Sequence, residues 1–459
     1  MAFPTSASAL LLFAATAFAV FLPVSTAALQ DAVSETRRAA ARTPAGPTRS
    51  EKIDAYLDVL EQLPSLPANN ALHAAWAGYL LAENTTQRAR VLAFTARIPD
   101  SAARMLIGSF REYPELKKDY AVAERAQAAR ITSEGTDTTT RRHPRELYGL
   151  NAFDAPYTAD GWIDPWGFVG RWRGEGFSVD VVAFPADNFL GLLRRDGSAN
   201  ETSLRLLGER EGKQLRLVGP EISALLSSGH LQLTHQGKTH ALLRTPVGVT
   251  YFDQRPAQAR VLLNSTTGLK HFRHAKSDAA WTVNPDGSIE IVPSKGSLFT
   301  QETFRDLEGY LEFRHAYNSE SLGPRRGNSG VYLYNTYEVQ LVDSFGLPPE
   351  ETSAGSVYHI AAPTVTASAP PLEWQSLRFN FRAPRFDAAG NKTASARLTL
   401  WLNGIKVHDN LEIPHPTAGS AAGGRALKEP TTPQPLMLQS HGNLLQFRNI
   451  WVLPRGESP

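Results

Sequence analysis

Glu338 and Gln340 stand two residues apart in YEVQLVD, Tyr332 and Tyr334 two apart in VYLY, and Gln439 and His441 two apart in MLQSH. Arg448 follows in FRNI. Side chains two apart on an extended strand share a face. These segments therefore present tyrosine, carboxylate, amide, imidazole and guanidinium groups on one side. Val331, Leu333, Val339 and Leu341 take the other. Aromatic rings stack on the C–H faces of sugars while carboxylates and amides bond hydroxyls, so the set suits a carbohydrate. The plainer account is a solvated sheet face with ordinary cross-strand pairs. Glu338 alone would fit that account; the whole set favours a site.

The elements that must position these groups lie in a C-terminal region of about residues 278–455. WTVNPDGSIEIV reads as two strands joined by a Pro-Asp-Gly turn. LEGYLEFRHAY, SVYHIA, EWQSLRFNFRA, ARLTLWLNGIKV and LQFRNIWVL add further strands, enough for a two-sheet sandwich. Two long loops interrupt it, Ser344 to Pro371 and Asn410 to Pro435, and the GSAAGG run in the second predicts mobility. Residues 161–264 alternate over short runs with turn signals roughly every ten residues, which predicts a small all-β unit. Trp172 in GRWRG is expected to plug one end of it. Residues 50–133 have helical spacing, as at Ile53, Tyr56, Leu57, Val59 and Leu60, and predict a small all-α unit. It carries no catalytic constellation and reads as a packing unit or a docking unit for another protein. Residues 134–160 read as a linker.

The 459-residue chain is long enough for two or three domains. Its 47 basic and 45 acidic residues give a net charge of +2 without long runs of like charge, which argues against a nucleic-acid partner. With no cysteine, disulfides, thiolate metal sites and cysteine nucleophiles are excluded. Ala9 to Val24 is nearly all apolar, and small residues follow through Ala28. This predicts a signal peptide over residues 1–28 and a periplasmic or extracellular protein, although the segment lacks a basic n-region. The alternative is an uncleaved anchor helix. No membrane span is expected after cleavage.

The span from Trp281 to Leu453 resembles the 3-keto-disaccharide hydrolase domain family. The resemblance is carried, in order, by Trp281 with Asp286-Gly287, Leu298-Phe299-Thr300, Asn328-Ser329-Gly330-Val331-Tyr332-Leu333 and YEVQLVD from Tyr337 to Asp343. Gly355 with Tyr358, Glu373-Trp374, Asn403-Gly404, Leu438-Gln439, His441-Gly442 and Phe447-Arg448-Asn449-Ile450 complete it. It implies a concanavalin-like jelly roll and cleavage of a glycosidic bond in an oxidised sugar. Three positions depart from the family's pattern. Tyr334 stands where arginine is frequent, Ser440 where aspartate is usual, and Gln375 in place of asparagine. Ser440 removes a carboxylate that could orient His441 or hold a cation. No cofactor is predicted, and a divalent cation is left open.

Glu338 and Asp343 are five apart and fall on opposite faces of a regular strand, which disfavours a retaining carboxylate pair. A 3-keto sugar needs less, because the ketone acidifies the C2 hydrogen and a single base suffices. The resemblance thus implies Glu338 or His441 as base, with Arg448 and Gln340 positioning or stabilising oxygen atoms. Asn328, Tyr332, Tyr334, Tyr358, Gln439 and Asp343 complete the expected substrate site, Asp343 by orienting a neighbour. The competing functional class is a non-catalytic lectin on the same fold; an ordinary glucanase is a third option.

Overall fold

The computed structural model describes residues 26–62, 68–98, 103–110, 113–134, 152–153, 157–158, 161–162, 165–195, 203–318, 326–417 and 429–456. The predicted signal segment up to residue 25 and the GSAAGG run lie outside them. The chain forms two compact units that divide near residue 245.

The first unit begins with helices α1 (Thr26–Arg42), α2 (Pro47–Glu61), α3 (Ala68–Leu81), α4 (Thr85–Thr95), α5 (Ala103–Ser109) and α6 (Lys117–Glu134). Pro47 opens α2, where its missing N–H costs nothing, and Asn84 caps α4 by accepting from the Gln87 N–H at 3.0 Å. The helical segment starts at Thr26, well before the expected residue 50. None of the described helices is long and apolar enough to cross a membrane.

Strands β1 (Gly170–Gly174), β2 (Phe177–Phe184), β3 (Asn188–Arg195), β4 (Leu204–Glu211), β5 (Gln214–Gly219), β6 (Ile222–Ser227), β7 (His230–His235) and β8 (Lys238–Thr245) follow. They run as a meander that closes β8 against β1 into an eight-stranded barrel. Trp172 is fully buried and its indole N–H donates to the Phe168 carbonyl at 3.1 Å. Arg37 and Arg38 of α1 both bind Glu209 of β4, so helices and barrel form one unit.

The second unit contains β9 (Arg260–Leu263), β10 (Phe272–Arg273), β11 (Thr282–Val283), β12 (Ile289–Glu290), β13 (Leu298–Thr300), β14 (Asp306–His315), β15 (Ser329–Leu333) and β16 (Tyr337–Leu341). It continues with β17 (Gln375–Arg382), β18 (Ala396–Leu402), β19 (Ile405–Ile413), β20 (Met437–Leu438) and β21 (Leu445–Arg455). The eight-stranded sheet has the order β11-β12-β21-β14-β17-β18-β19, with β9 also paired to β21. The five-stranded sheet has the order β10-β13-β20-β15-β16. Leu311, Phe313, Phe379, Leu400 and Phe447 of the first sheet share one apolar core with Leu298, Val331, Val339 and Leu438 of the second. Two sheets around one core make a sandwich. Residues 245–264, expected in the small β unit, belong here because Arg260–Leu263 pairs with β21.

Candidate active site

Because Val331, Leu333, Val339 and Leu341 fill the core, the alternate side chains of β15 and β16 face outward from the five-stranded sheet. Pairing then sets them in rows. Tyr332 lies between Met437 on β20 and Glu338 on β16. The row is extended by Tyr358, whose N–H donates to the Glu338 carbonyl at 3.1 Å. In the next row Gln439 donates its N–H to the Gly330 carbonyl at 2.9 Å, and Gly330 opposes Gln340. Gln340 in turn donates its N–H to the Ser356 carbonyl at 3.0 Å. Two residues beyond Gly330 and Gln439, Asn328 Nδ2 lies 3.4 Å from Nδ1 of His441, which is exposed.

The Glu338 carboxylate is the chemical centre of this face. It is 3% exposed, and burial pushes its pKa up to about 7, against the opposing pull of a hydrogen bond from Tyr332. Tyr332 Oη donates to Oε2 at 2.8 Å, and Gln439 Nε2 donates to Tyr332 Oη at 3.2 Å. The charge of Glu338 also raises the Tyr332 and Tyr358 phenols, behind burial as the larger cause. The carboxylate reaches this position because residue 330 is glycine: a Cβ there would stand 2.6 Å from Oε1. Oε1 accepts no hydrogen bond among the described residues. The arrangement is that of a general base poised near neutrality, with phenol and amide donors around it.

Three expected site residues lie elsewhere. Arg448 sits on β21 of the other sheet, where Nε donates to Glu312 at 2.6 Å and the guanidinium lies 4.1 Å from the centre of the Trp374 ring. Leu311 and Phe313 flank Glu312 and point into the core, so Arg448 is on the opposite outer face from Glu338. Tyr334 falls in the turn after β15, where Tyr334 and Asn335 both have positive φ. The alternation ends there; the ring packs on Phe381 in the core, and its hydroxyl donates to the Pro430 carbonyl at 3.1 Å. Asp343 lies beyond the end of β16 in a buried ion pair with Arg326 at 2.8 Å.

Ser356 was not anticipated as a site residue, although the alternating S-V-Y of residues 356–358 carries the signal. Val357 bridges Val339 and enters the core, which turns Ser356 and Tyr358 outward. The loop expected over 344–371 thus supplies a short extended stretch along the free edge of β16.

Comparison with known proteins agrees with the resemblance seen in the sequence. Residues 258–453 match the family described as the 3-keto-alpha-glucoside-1,2-lyase-like domain, starting at residue 258 rather than 278. No curated protein matches the chain. Among solved structures, two provisionally designated glycosyl hydrolases from Parabacteroides distasonis ATCC 8503 are similar. One is 29% identical, covers 44% of this chain and 85% of its own, and has a TM-score of 0.41. The other is 18% identical, covers 46% of this chain and 99% of its own, and has a TM-score of 0.33. The family match supports a carbohydrate-active function and, in broad terms, glycoside hydrolase or lyase activity.

Proposed function

We propose, from the match over residues 258–453 and the geometry beneath it, that the protein cleaves 3-keto-glycosides or 3-keto-disaccharides by C2 deprotonation and elimination. The single observation that carries this reading is a buried carboxylate near neutral pKa, bonded by a phenol, on which no second carboxylate acts among the described residues. Asp343 is committed to Arg326, and Glu429 to Tyr337 and Lys392. Among the described residues, a two-carboxylate glycosidase therefore has no partner for Glu338.

In the proposed reaction Glu338 takes the C2 proton, and the C–H electron pair forms the C2–C3 double bond of an enolate with charge on the former ketone oxygen. Collapse of the enolate restores the ketone, forms the C1–C2 double bond and expels the C1 aglycone with its oxygen. Water adding to C1, with return of a proton to C2, gives net hydrolysis. Once Glu338 is protonated, Tyr332 no longer has a carboxylate to bind and can turn its O–H toward the enolate; Tyr358 and the Asn328 amide are further donors. His441 at the rim is the group available to protonate the leaving oxygen. The apolar Ala9–Val24 stretch makes export to the periplasm or the extracellular space part of the proposal.

Incubation with a 3-keto-glucoside and with the unmodified glucoside tests the reading. Aglycone release from the keto sugar alone is expected. Release from both would indicate an ordinary glycosidase, and binding without release would indicate a lectin.

A further inference from the structure

The row beside Glu338 contains a second set of polar atoms that the base chemistry does not use. Ser356 Oγ, Gln340 Oε1 and Gln439 Oε1 are buried and accept no hydrogen bond among the described residues. Ser356 is 0% exposed and Gln340 1%. All three face the same side of the sheet, in one line across Gly330. The orientation of Gln439 follows from its neighbour. Because Tyr332 gives its proton to Glu338, the phenol oxygen can only accept, so the amide must turn Nε2 toward it and present Oε1 to the row. Neighbouring strands lie about 4.8 Å apart. The line from Gln439 through Gly330 and Gln340 to Ser356 crosses three such spacings, long enough for a hexose ring to lie across it. Among the described residues, the arginines Arg448 and Arg326 are held by Glu312 and Asp343.

We propose that Gln340, Gln439 and Ser356 form a hydroxyl-reading row that selects an uncharged sugar ring with free hydroxyls. Its acceptor atoms take protons from sugar hydroxyls, and among the described residues no cation acts on the neighbouring Glu338 carboxylate, so none is placed to pair a carboxylate or sulfate on the ring. Ser356 and Gln439 are therefore specificity residues. This inference rests on the reading of Glu338 as the base of a glycoside-cleaving site, but it can fail separately. A site built to bond a hydroxyl rejects a ligand lacking it strongly, because its buried polar groups are left unpaired.

The test compares a 3-keto-glucoside with the corresponding 3-keto-glucuronide in the full-length protein. Calorimetric binding of the unoxidised glucoside and glucuronide to Glu338→Gln runs beside it, so that the inference is read even without turnover. The neutral sugar is expected to have a kcat/KM about a hundredfold above that of the anionic one. Ser356→Ala and Gln439→Leu should each raise KM for the neutral sugar about tenfold, and Ser356→Ala, which touches neither Glu338 nor Tyr332, should leave the pH at which activity appears unchanged. In Glu338→Gln the preference for neutral binding should narrow while remaining in favour of the glucoside. Equal handling of both sugars, or an unchanged KM in both row variants, would overturn the hydroxyl-reading row. Undiminished turnover in Glu338→Gln would instead overturn the base assignment.

Discussion

At the scale of single residues, Glu338 couples activity and stability to the same proton. As a base it works only when deprotonated, so kcat/KM should rise with pH through about 7. The Tyr332 bond favours the charged form and holds the pKa down against burial. Tyr332→Phe should therefore move this rising limb to higher pH, which a pH–rate profile reads directly. The linkage runs the other way for folding. A carboxyl whose folded pKa lies above its unfolded value stabilises the fold when protonated, and that contribution is lost as pH rises from about 4.5 to about 7. The loss is on the order of 3 kcal/mol at about 1.4 kcal/mol per unit. Glu338→Gln keeps the shape without the charge, so its melting temperature should exceed that of the wild type more at pH 8 than at pH 5. An equal difference at the two pH values would refute the raised pKa.

At the scale of elements, the site depends on two strands placed so that a carboxylate on β16 can lie over a residue of β15 that has no side chain. Gly330→Ala puts a Cβ in contact with Glu338 Oε1. The carboxylate is the flexible end of its side chain and can move, so the fold should persist while kcat/KM falls about a hundredfold, since small misplacements carry that cost. Circular dichroism and turnover on one preparation check both halves of this prediction. The same geometry explains what the sequence made legible. A period of two placed Tyr332, Glu338, Gln340 and Gln439 on the outward face, because the apolar residues between them had to be buried. It failed at Tyr334, where the turn breaks the alternation; Asp343, which lies past the strand's end, was included through the resemblance and not through the period. It failed differently at Arg448. Periodicity gives the face of a strand but not which of two sheets the strand joins, and β21 joins the sheet opposite β16.

At the scale of the whole molecule, the resemblance over Trp281 to Leu453 located the second unit, while its upstream boundary was not legible. β9 carries the short run RVLL, which alternation alone could not separate from the preceding barrel strands; only its pairing with β21 assigns it. The merging of helices and barrel was equally hidden, since the contacts of Arg37 and Arg38 with Glu209 span more than 170 residues. Within the second unit, Arg326 and Asp343 form a buried pair, with 3% and 1% of their side chains exposed. Removing one partner of such a pair costs about 3–5 kcal/mol. Asp343→Ala should accordingly lower the melting temperature of this unit by about 10 °C, with KM for the keto sugar unchanged where the protein is folded. A changed KM without a stability loss would return Asp343 to the substrate site.

The central claim is that one carboxylate removes one hydrogen from C2. The direct measurement is proton NMR of a 3-keto-glucoside in deuterium oxide, following both aglycone release and deuterium entry at C2. The wild-type protein should release aglycone and lose the original C2 hydrogen, leaving C2 without a proton in the eliminated sugar or carrying solvent deuterium where water has added. Glu338→Gln, folded and able to bind the sugar, should slow both by about a thousandfold or more. Release by Glu338→Gln at the wild-type rate, or release by the wild type with the original C2 hydrogen retained throughout, would contradict the account.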